Sequence, residues 1–383
     1  MILYILLAIL IFGLLIMIHE CGHYIAARIF HVEINEFAIG MGPKILSKKS
    51  KKTGIRYSIR LLPFGGFVSM RGELGEKDGG DPENPFAHEA VPHESEKKEP
   101  PQPGDEDYVV NYGNTLMSRP GWQRLIVHAA GATMNILLAL ILTLILTLLI
   151  RVGGTEIAEF AEPATDADGN PVVSSSSILR VNDTVLSVNG RKVHISDQLY
   201  YQIMREGYKG EALDLYVRHE NGEKEHLLVT FPTVTEQGVT FGTADFKVYA
   251  VKKTPGTVLK QTFWKSTYVV EMIWESLFDV ITGRYSIDAV SGPVGTAGAI
   301  TEAAKSGGAT LLYLTLIISM NLGIFNLLPI PPLDGGHLVY TGIEMVSHRR
   351  LPGKVTGTID AVGAFLFFGL LLFITVKDIL AFF

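Results

Sequence analysis

The stretch LLIMIHECGHYIAARIF, Leu14–Phe30, is apolar on both flanks and carries His19, Glu20 and His23 in its middle. An ionisable side chain at membrane depth costs roughly 2.5–3.5 kcal/mol even on the mild insertion scale. Such groups inside a run suited to lipid point to function. The spacing is H-E-x-x-H. On a helix, His19 and His23 lie one turn apart on one face and can share one metal ion. Glu20 is rotated about 100° from His19 and can serve as general base toward water at that ion. Cys21 points along another face and reads as a small packing residue. A thiolate ligand there would crowd the site.

The rest of the chain agrees with a membrane setting. It has 383 residues, 47% of them hydrophobic, and a mean hydropathy of +0.26, too apolar for an ordinary soluble protein. Four stretches approach the roughly 20 apolar residues that a span needs: Ile2–Phe30, Leu125–Ile150, Leu311–Ile330 and Ile359–Phe383. The second has no charge from Asn135 to Ile150. The first has no basic leader and no small-x-small cleavage site, so a retained helix is expected rather than a signal peptide. The net charge of −6 says little about partners, and the single cysteine, Cys21, excludes internal disulfides and cysteine metal cages.

Charge placement predicts orientation. Lys44, Lys48, Lys49, Lys51, Lys52, Arg56 and Arg60 follow the first span, and Arg349, Arg350 and Lys354 follow the third. The positive-inside rule makes both loops cytoplasmic. The region between spans two and three, and both termini, are then outside.

The chain divides accordingly. Residues 1–30 form the first span. Residues 31–72 hold IRYSIRLLPFGGFVSM, which alternates and breaks at Pro63–Gly66, predicting a membrane-associated β-hairpin, with a small sheet packed on the protein as the alternative. Residues 73–115 are acidic and rich in Pro and Gly, an insert expected to be disordered and cytoplasmic. Residues 116–150 form the second span. Residues 151–250 read as a β-rich outer domain of order β-β-α-β-β, with hairpin turns at Asn189-Gly190 and Asn221-Gly222. Within 251–308, Leu259, Phe263, Val270, Ile273, Leu277 and Val280 recur at helical spacing, and Trp264 and Trp274 suggest an interfacial helix; plain packing is the alternative. The third span covers 309–333, a cytoplasmic turn 334–358 and the fourth span 359–383.

A catalytic zinc site commonly takes three protein ligands and keeps one position open. The candidate third ligand is Asp334, in NLGIFNLLPIPPLDGGH. Pro329, Pro331 and Pro332 stop a regular helix, and unwound backbone at membrane depth is tolerated only where it is buried in protein or lines a cavity. An unpaired carboxylate there is costly, and a cation would balance it. His337 is a rival ligand. The bland alternative is that Asp334 caps a helix start.

The motifs HECGH, FAIGMGPKI, GATMN, SGPVG and NLLPIPPLDGG occur in this order along nearly the whole chain. In them the chain resembles the bacterial branch of the site-2 protease family of intramembrane zinc metalloproteases. The resemblance implies a polytopic α-helical membrane protein: four transmembrane helices, a membrane-associated β-hairpin and one extracytoplasmic PDZ-like domain. It implies one zinc ion on His19, His23 and Asp334, with Glu20 activating water. It implies substrate binding by Asn321 and Asn326. Asn135 matches a further motif position, taken as substrate-binding, with a hydrogen bond between helices as the alternative.

The implied activity is hydrolysis of peptide bonds inside transmembrane segments of pre-trimmed single-span proteins, such as anti-sigma factors and signal-peptide remnants. The expected setting is the bacterial cytoplasmic membrane; the partners are those substrates and the lipid bilayer, with no nucleic acid. Two other classes compete: an inactive membrane-anchored PDZ scaffold, and a metal transporter or sensor. Transport does not call for a general base at the position of Glu20.

Overall fold

The computed structural model describes residues 2–71, 114–162, 174–236, 239–284 and 290–381. The acidic insert lies almost wholly outside them. In chain order the elements are α1 (Ile2–Ile29), β1 (Ile34–Lys49), β2 (Arg56–Met70), α2 (Gly121–Leu149), β3 (Gly153–Phe160), β4 (Thr184–Val188), β5 (Arg191–Lys192) and α3 (Ser196–Glu206). Then come β6 (Leu213–Arg218), β7 (Lys224–Val229), β8 (Thr233–Glu236), β9 (Val239–Gly242), β10 (Phe246–Ala250) and α4 (Pro255–Ile281). The chain ends with α5 (Pro293–Ser306), α6 (Gly308–Asn326), α7 (Asp334–Ser347) and α8 (Gly353–Ala381). Among the described residues, four helices are long and apolar enough to cross a membrane, over Leu6–Ile29, Gly121–Leu149, Gly308–Asn326 and Gly353–Leu380. The chain forms two compact units, one of residues 1–137, 297–301 and 322–383, the other of 138–296 and 302–321.

In the first unit, α1 stops where His31 adopts φ 56° and the Val32 N–H closes on the Ala27 carbonyl at 2.8 Å. This left-handed stop satisfies a carbonyl left over at the helix end and turns the chain into β1. The small sheet differs from the hairpin expected within 55–70. Its turn lies at residues 50–55, where Gly54 has φ 73°, and the strand partner of β2 is β1. Phe37 faces both Val68 and Tyr57, and Ala38 faces both Phe67 and Ser58. The first half of β1 therefore sits between the two halves of β2. The bends occur near Gly40, Gly42 and Gly65, all at positive φ, which costs glycine little. Buried Glu36 pins the sheet by accepting hydrogen bonds from Ser58 at 2.5 Å and Arg60 at 3.0 Å. Burial acts to raise its carboxyl pKa, but these bonds and Lys44 outweigh it and hold it below the usual carboxylate value.

In the second unit the sheet order is β10-β3-β4-β6-β7, with β5 on β4. Leu199 and Ile203 of α3 pack into a core with Ile157, Leu213, Leu215 and Phe246. β10 covers one edge of β3 with the pairs Phe246↔Phe160, Lys247↔Glu159, Val248↔Ile157 and Ala250↔Gly153. α4 starts at a Thr254–Thr257 capping box, which satisfies otherwise unpaired N–H groups. It is fastened to the domain by Arg205, whose Nε and Nη2 reach Asp279 at 2.9 and 3.0 Å. Its opposite face leaves Leu259, Phe263, Trp274, Phe278 and Ile281 exposed. Trp264 is not on that face; it stacks on His194 with ring centroids 3.6 Å apart.

Candidate metal centre

Three elements meet at one point of the first unit. α1 supplies His19 and His23, the first turn of α7 supplies Asp334, and α2 backs both histidines. α1 and α2 approach closely because neither carries bulk at the crossing. A Cβ on Gly22 would meet the Ala130 backbone and Met134 Cγ, the latter at 2.8 Å. A Cβ on Gly131 would collide with His23 Nε2 and come 2.7 Å from His19 Nε2.

The ligand atoms form a small triangle. Asp334 Oδ2 is 3.1 Å from His19 Nε2 and 3.2 Å from His23 Nε2, and the two nitrogens are 3.2 Å apart. Bond lengths of about 2.0–2.2 Å to a tetrahedral zinc require donor separations of about 3.3 Å by the geometry of the tetrahedron. The triangle fits.

Proton positions agree. His23 Nδ1 lies 2.8 Å from the Val127 carbonyl, which can only accept, so Nδ1 carries the proton. In neutral imidazole the other nitrogen is then a lone pair, and it points at Asp334 Oδ2, a buried atom that, among the described residues, has no hydrogen-bond partner besides the two imidazoles. Lone pairs facing one another out of solvent are unfavourable unless a cation lies between them. A ring nitrogen that binds metal while its partner donates to a carbonyl is the usual outer support of a histidine ligand. Among the described residues His19, His23 and Asp334 form a group able to hold a metal ion, and the site fits zinc.

Glu20 stands beside the trio. It interacts electrostatically with His23, His19 and Asp334, and its carboxylate takes a hydrogen bond from the Val68 backbone. A Cβ on Gly66 would lie 3.3 Å from Glu20 Cγ. The second half of β2 thus runs past the carboxylate. The helix-cap alternative for Asp334 is not what forms: the N-cap of α7 is Leu333, with no side-chain cap bond, and the carboxylate turns to the histidines. His337 stacks on His128 instead, with centroids 5.2 Å apart. Cys21 is half-buried and outside the ligand group.

The three asparagines part company. Asn135 is fully buried, with Nδ2 3.4 Å from His19 Nδ1. Asn326 donates to Leu322 O of its own helix at 2.8 Å. Asn321 is exposed, and at about 100° per residue it projects from a different face of α6 than Asn326. Sequence reasoning missed Val127, Gly22 and Gly131. A backbone acceptor leaves no residue signature, whereas the glycines were visible as small residues in apolar helices.

The fold and the trio define a multi-pass membrane protein with a β-rich domain and a metallohydrolase-type site. Comparison with known proteins gives the class its name. The sequence model of peptidase family M50 matches residues 7–370. The zinc metalloprotease RasP of Geobacillus kaustophilus is 31% identical over 98% of this chain and 97% of its own. RasP of Bacillus licheniformis is 30% identical, with 97% of each chain covered. The regulator of sigma-W protease RasP of Bacillus subtilis is 29% identical, again with 97% of each covered. The chain belongs to peptidase family M50, within the site-2 proteases, and is a zinc metalloprotease.

Proposed function

We propose that the chain is an intramembrane endopeptidase that holds zinc with His19, His23 and Asp334, uses Glu20 as general base, and cuts membrane segments of single-span proteins already trimmed outside. The observation that carries this reading is the ligand triangle, built on α1, a helix able to cross a membrane, and on the chain break that ends α6. Bound there, zinc supplies Lewis acidity that polarises a carbonyl and makes water more acidic.

The chain's own groups do the rest. The Val127 carbonyl keeps His23 in the ligand tautomer. Glu20 takes a proton from the attacking water and returns it to the leaving nitrogen. A substrate helix hides its carbonyls in its own hydrogen bonds, so the segment must be extended first. β1 and β2, passing Glu20 at Gly66 and Val68, offer a surface on which an extended segment can add as a strand. Asn326, at the helix end preceding Asp334, is the better placed of the α6 asparagines for a substrate polar group.

We read residues 151–250 as a PDZ-like domain on the outer side of the bacterial cytoplasmic membrane, with both termini outside and the basic loops inside. The exposed apolar face of α4 suits the outer lipid surface. The name of the Bacillus subtilis relative, a regulator of sigma-W, supports anti-sigma factors as one substrate class, with signal-peptide remnants as another.

The test is cleavage of single-span substrates, trimmed and untrimmed, by the purified protein in liposomes, with cut sites mapped by mass spectrometry. Cuts inside the apolar span of trimmed substrates support the reading. Cuts confined to soluble loops overturn it.

A further inference from the structure

Both histidines of α1 are backed by one stripe of α2. Val127, Gly131 and Asn135 follow at intervals of four residues, which places them on one helix face. Val127 offers its carbonyl to His23 Nδ1 at 2.8 Å. Gly131 offers no side chain, and a Cβ there would strike both imidazoles. Asn135, fully buried, places its amide 3.4 Å from His19 Nδ1.

The two ends of an amide are assigned from the surrounding network rather than seen directly. With Nδ2 toward the ring, His19 Nδ1 would be an acceptor, and its proton would sit on Nε2, the atom that faces His23 and Asp334. With Oδ1 toward the ring, Nδ1–H donates to the amide oxygen and Nε2 is left as a lone pair. The second arrangement repeats what Val127 does for His23.

We propose that Asn135 is a positioning residue of the metal centre rather than a substrate-binding one: its amide oxygen accepts the Nδ1–H of His19 and fixes this histidine as an Nε2 ligand. Gly131 supplies the clearance that lets both imidazoles stand against α2. The inference rests on the reading of His19 as a zinc ligand and adds the group that orients it. Outer-shell partners of histidine ligands are worth about 10–100-fold in metal affinity.

The test is zinc affinity of the full-length protein in detergent, by competition with a chromophoric chelator, in a Glu20→Gln background so that proteolysis plays no part. Asn135→Leu and the smaller Asn135→Ala should weaken zinc binding about 10–100-fold. Asn135→Asp, which can only accept from a neutral imidazole, should stay within a few-fold of the parent. If Asn135→Asp binds as weakly as Asn135→Leu, the amide was donating and the proposal fails. It also fails if Asn135→Ala keeps full affinity, and a raised KM in the Glu20 enzyme would then return Asn135 to substrate binding. His19→Ala separates the underlying reading. Full zinc retention in that variant overturns the ligand assignment itself, whereas zinc loss in His19→Ala with none in Asn135→Ala overturns only the role of Asn135.

Discussion

His23 Nε2 and Asp334 Oδ2 face each other at 3.2 Å with the imidazole proton committed to the Val127 carbonyl on the far side of the ring. The Nε2 side of the ring is left free to face a cation, which on the proposed reading is zinc. Asp334→Asn keeps the shape of the site but removes the charge that, on the proposed reading, balances zinc. The expected result is loss of stoichiometric zinc with helix content unchanged, measured by metal analysis and far-UV circular dichroism.

Gly131 faces the same point from α2. Gly131→Ala drives a methyl group into both imidazoles, and overpacking of this kind costs about 1–3 kcal/mol. The imidazoles can relieve it only by leaving the ligand geometry. Zinc content should fall and the thermal midpoint should drop, while Gly256→Ala, with open space around it, should change neither.

Arg124 of α2 and Glu344 of α7 form a buried ion pair at 2.7 Å, and Glu344 also accepts from the Leu351 N–H at 2.8 Å. The pair ties the helix that begins with Asp334 to the helix that backs the histidines. Removing one partner leaves a buried charge, at a cost of about 3–5 kcal/mol. Arg124→Met alone should destabilise the protein by that order in thermal unfolding, and Arg124→Met with Glu344→Leu should recover much of the loss. Equal destabilisation by the single and double variants would show that the pair does not act as a unit.

His219 of the β-rich domain has carboxylates on both ring nitrogens, Asp183 at 2.7 Å and Glu225 at 2.6 Å. The hydrogen bonds to Asp183 and Glu225 raise its pKa above the ordinary 6.5. A group whose folded pKa is raised contributes stability that is complete below the unfolded value and fades as pH rises through the folded one. Hydrogen exchange of β4, β6 and β7 in the whole protein should therefore be better protected, after correction for intrinsic rates, at pH 6 than at pH 9. The difference should shrink in His219→Gln.

β10 occupies the edge of β3, the edge that on the PDZ-like reading would take an added peptide strand, and Tyr200 of α3 packs near Phe246 with ring centroids 6.2 Å apart. Free C-terminal peptides should not bind the intact protein by strand addition. Phe246→Ser, which unseats β10 from the core, should admit them, read by fluorescence anisotropy. Tight binding to the unaltered chain would show that β10 yields its place readily.

The clustering of His19, His23 and Asp334 was more legible in the sequence than the strand pairing. His19, Glu20 and His23 announce themselves because helical spacing and a lipid-like setting leave few other roles for three polar groups, and the prolines before Asp334 mark where a helix must break. A sheet within residues 31–72 forms as expected, but its turn lies elsewhere, because the alternation of residues 55–70 continues on both sides of Gly65-Gly66. A local turn and a distant partner then predict the same pattern; the alternating run at Glu36–Ile39 proves the better partner for both halves. β10 was invisible for a similar reason: five residues carry too little pattern to say which edge they cover. Trp264 was assigned to lipid by residue type, but its stacking on His194 depends on a contact that helical periodicity does not encode.

The most direct measurement of the central claim pairs zinc content with cleavage of a trimmed single-span substrate for the parent protein and Glu20→Gln. The account predicts one zinc per chain in both, and a rate about 10²–10⁴-fold lower in the variant, the usual worth of a general base. Equal cleavage by the two proteins, or loss of zinc on changing Glu20, would contradict it.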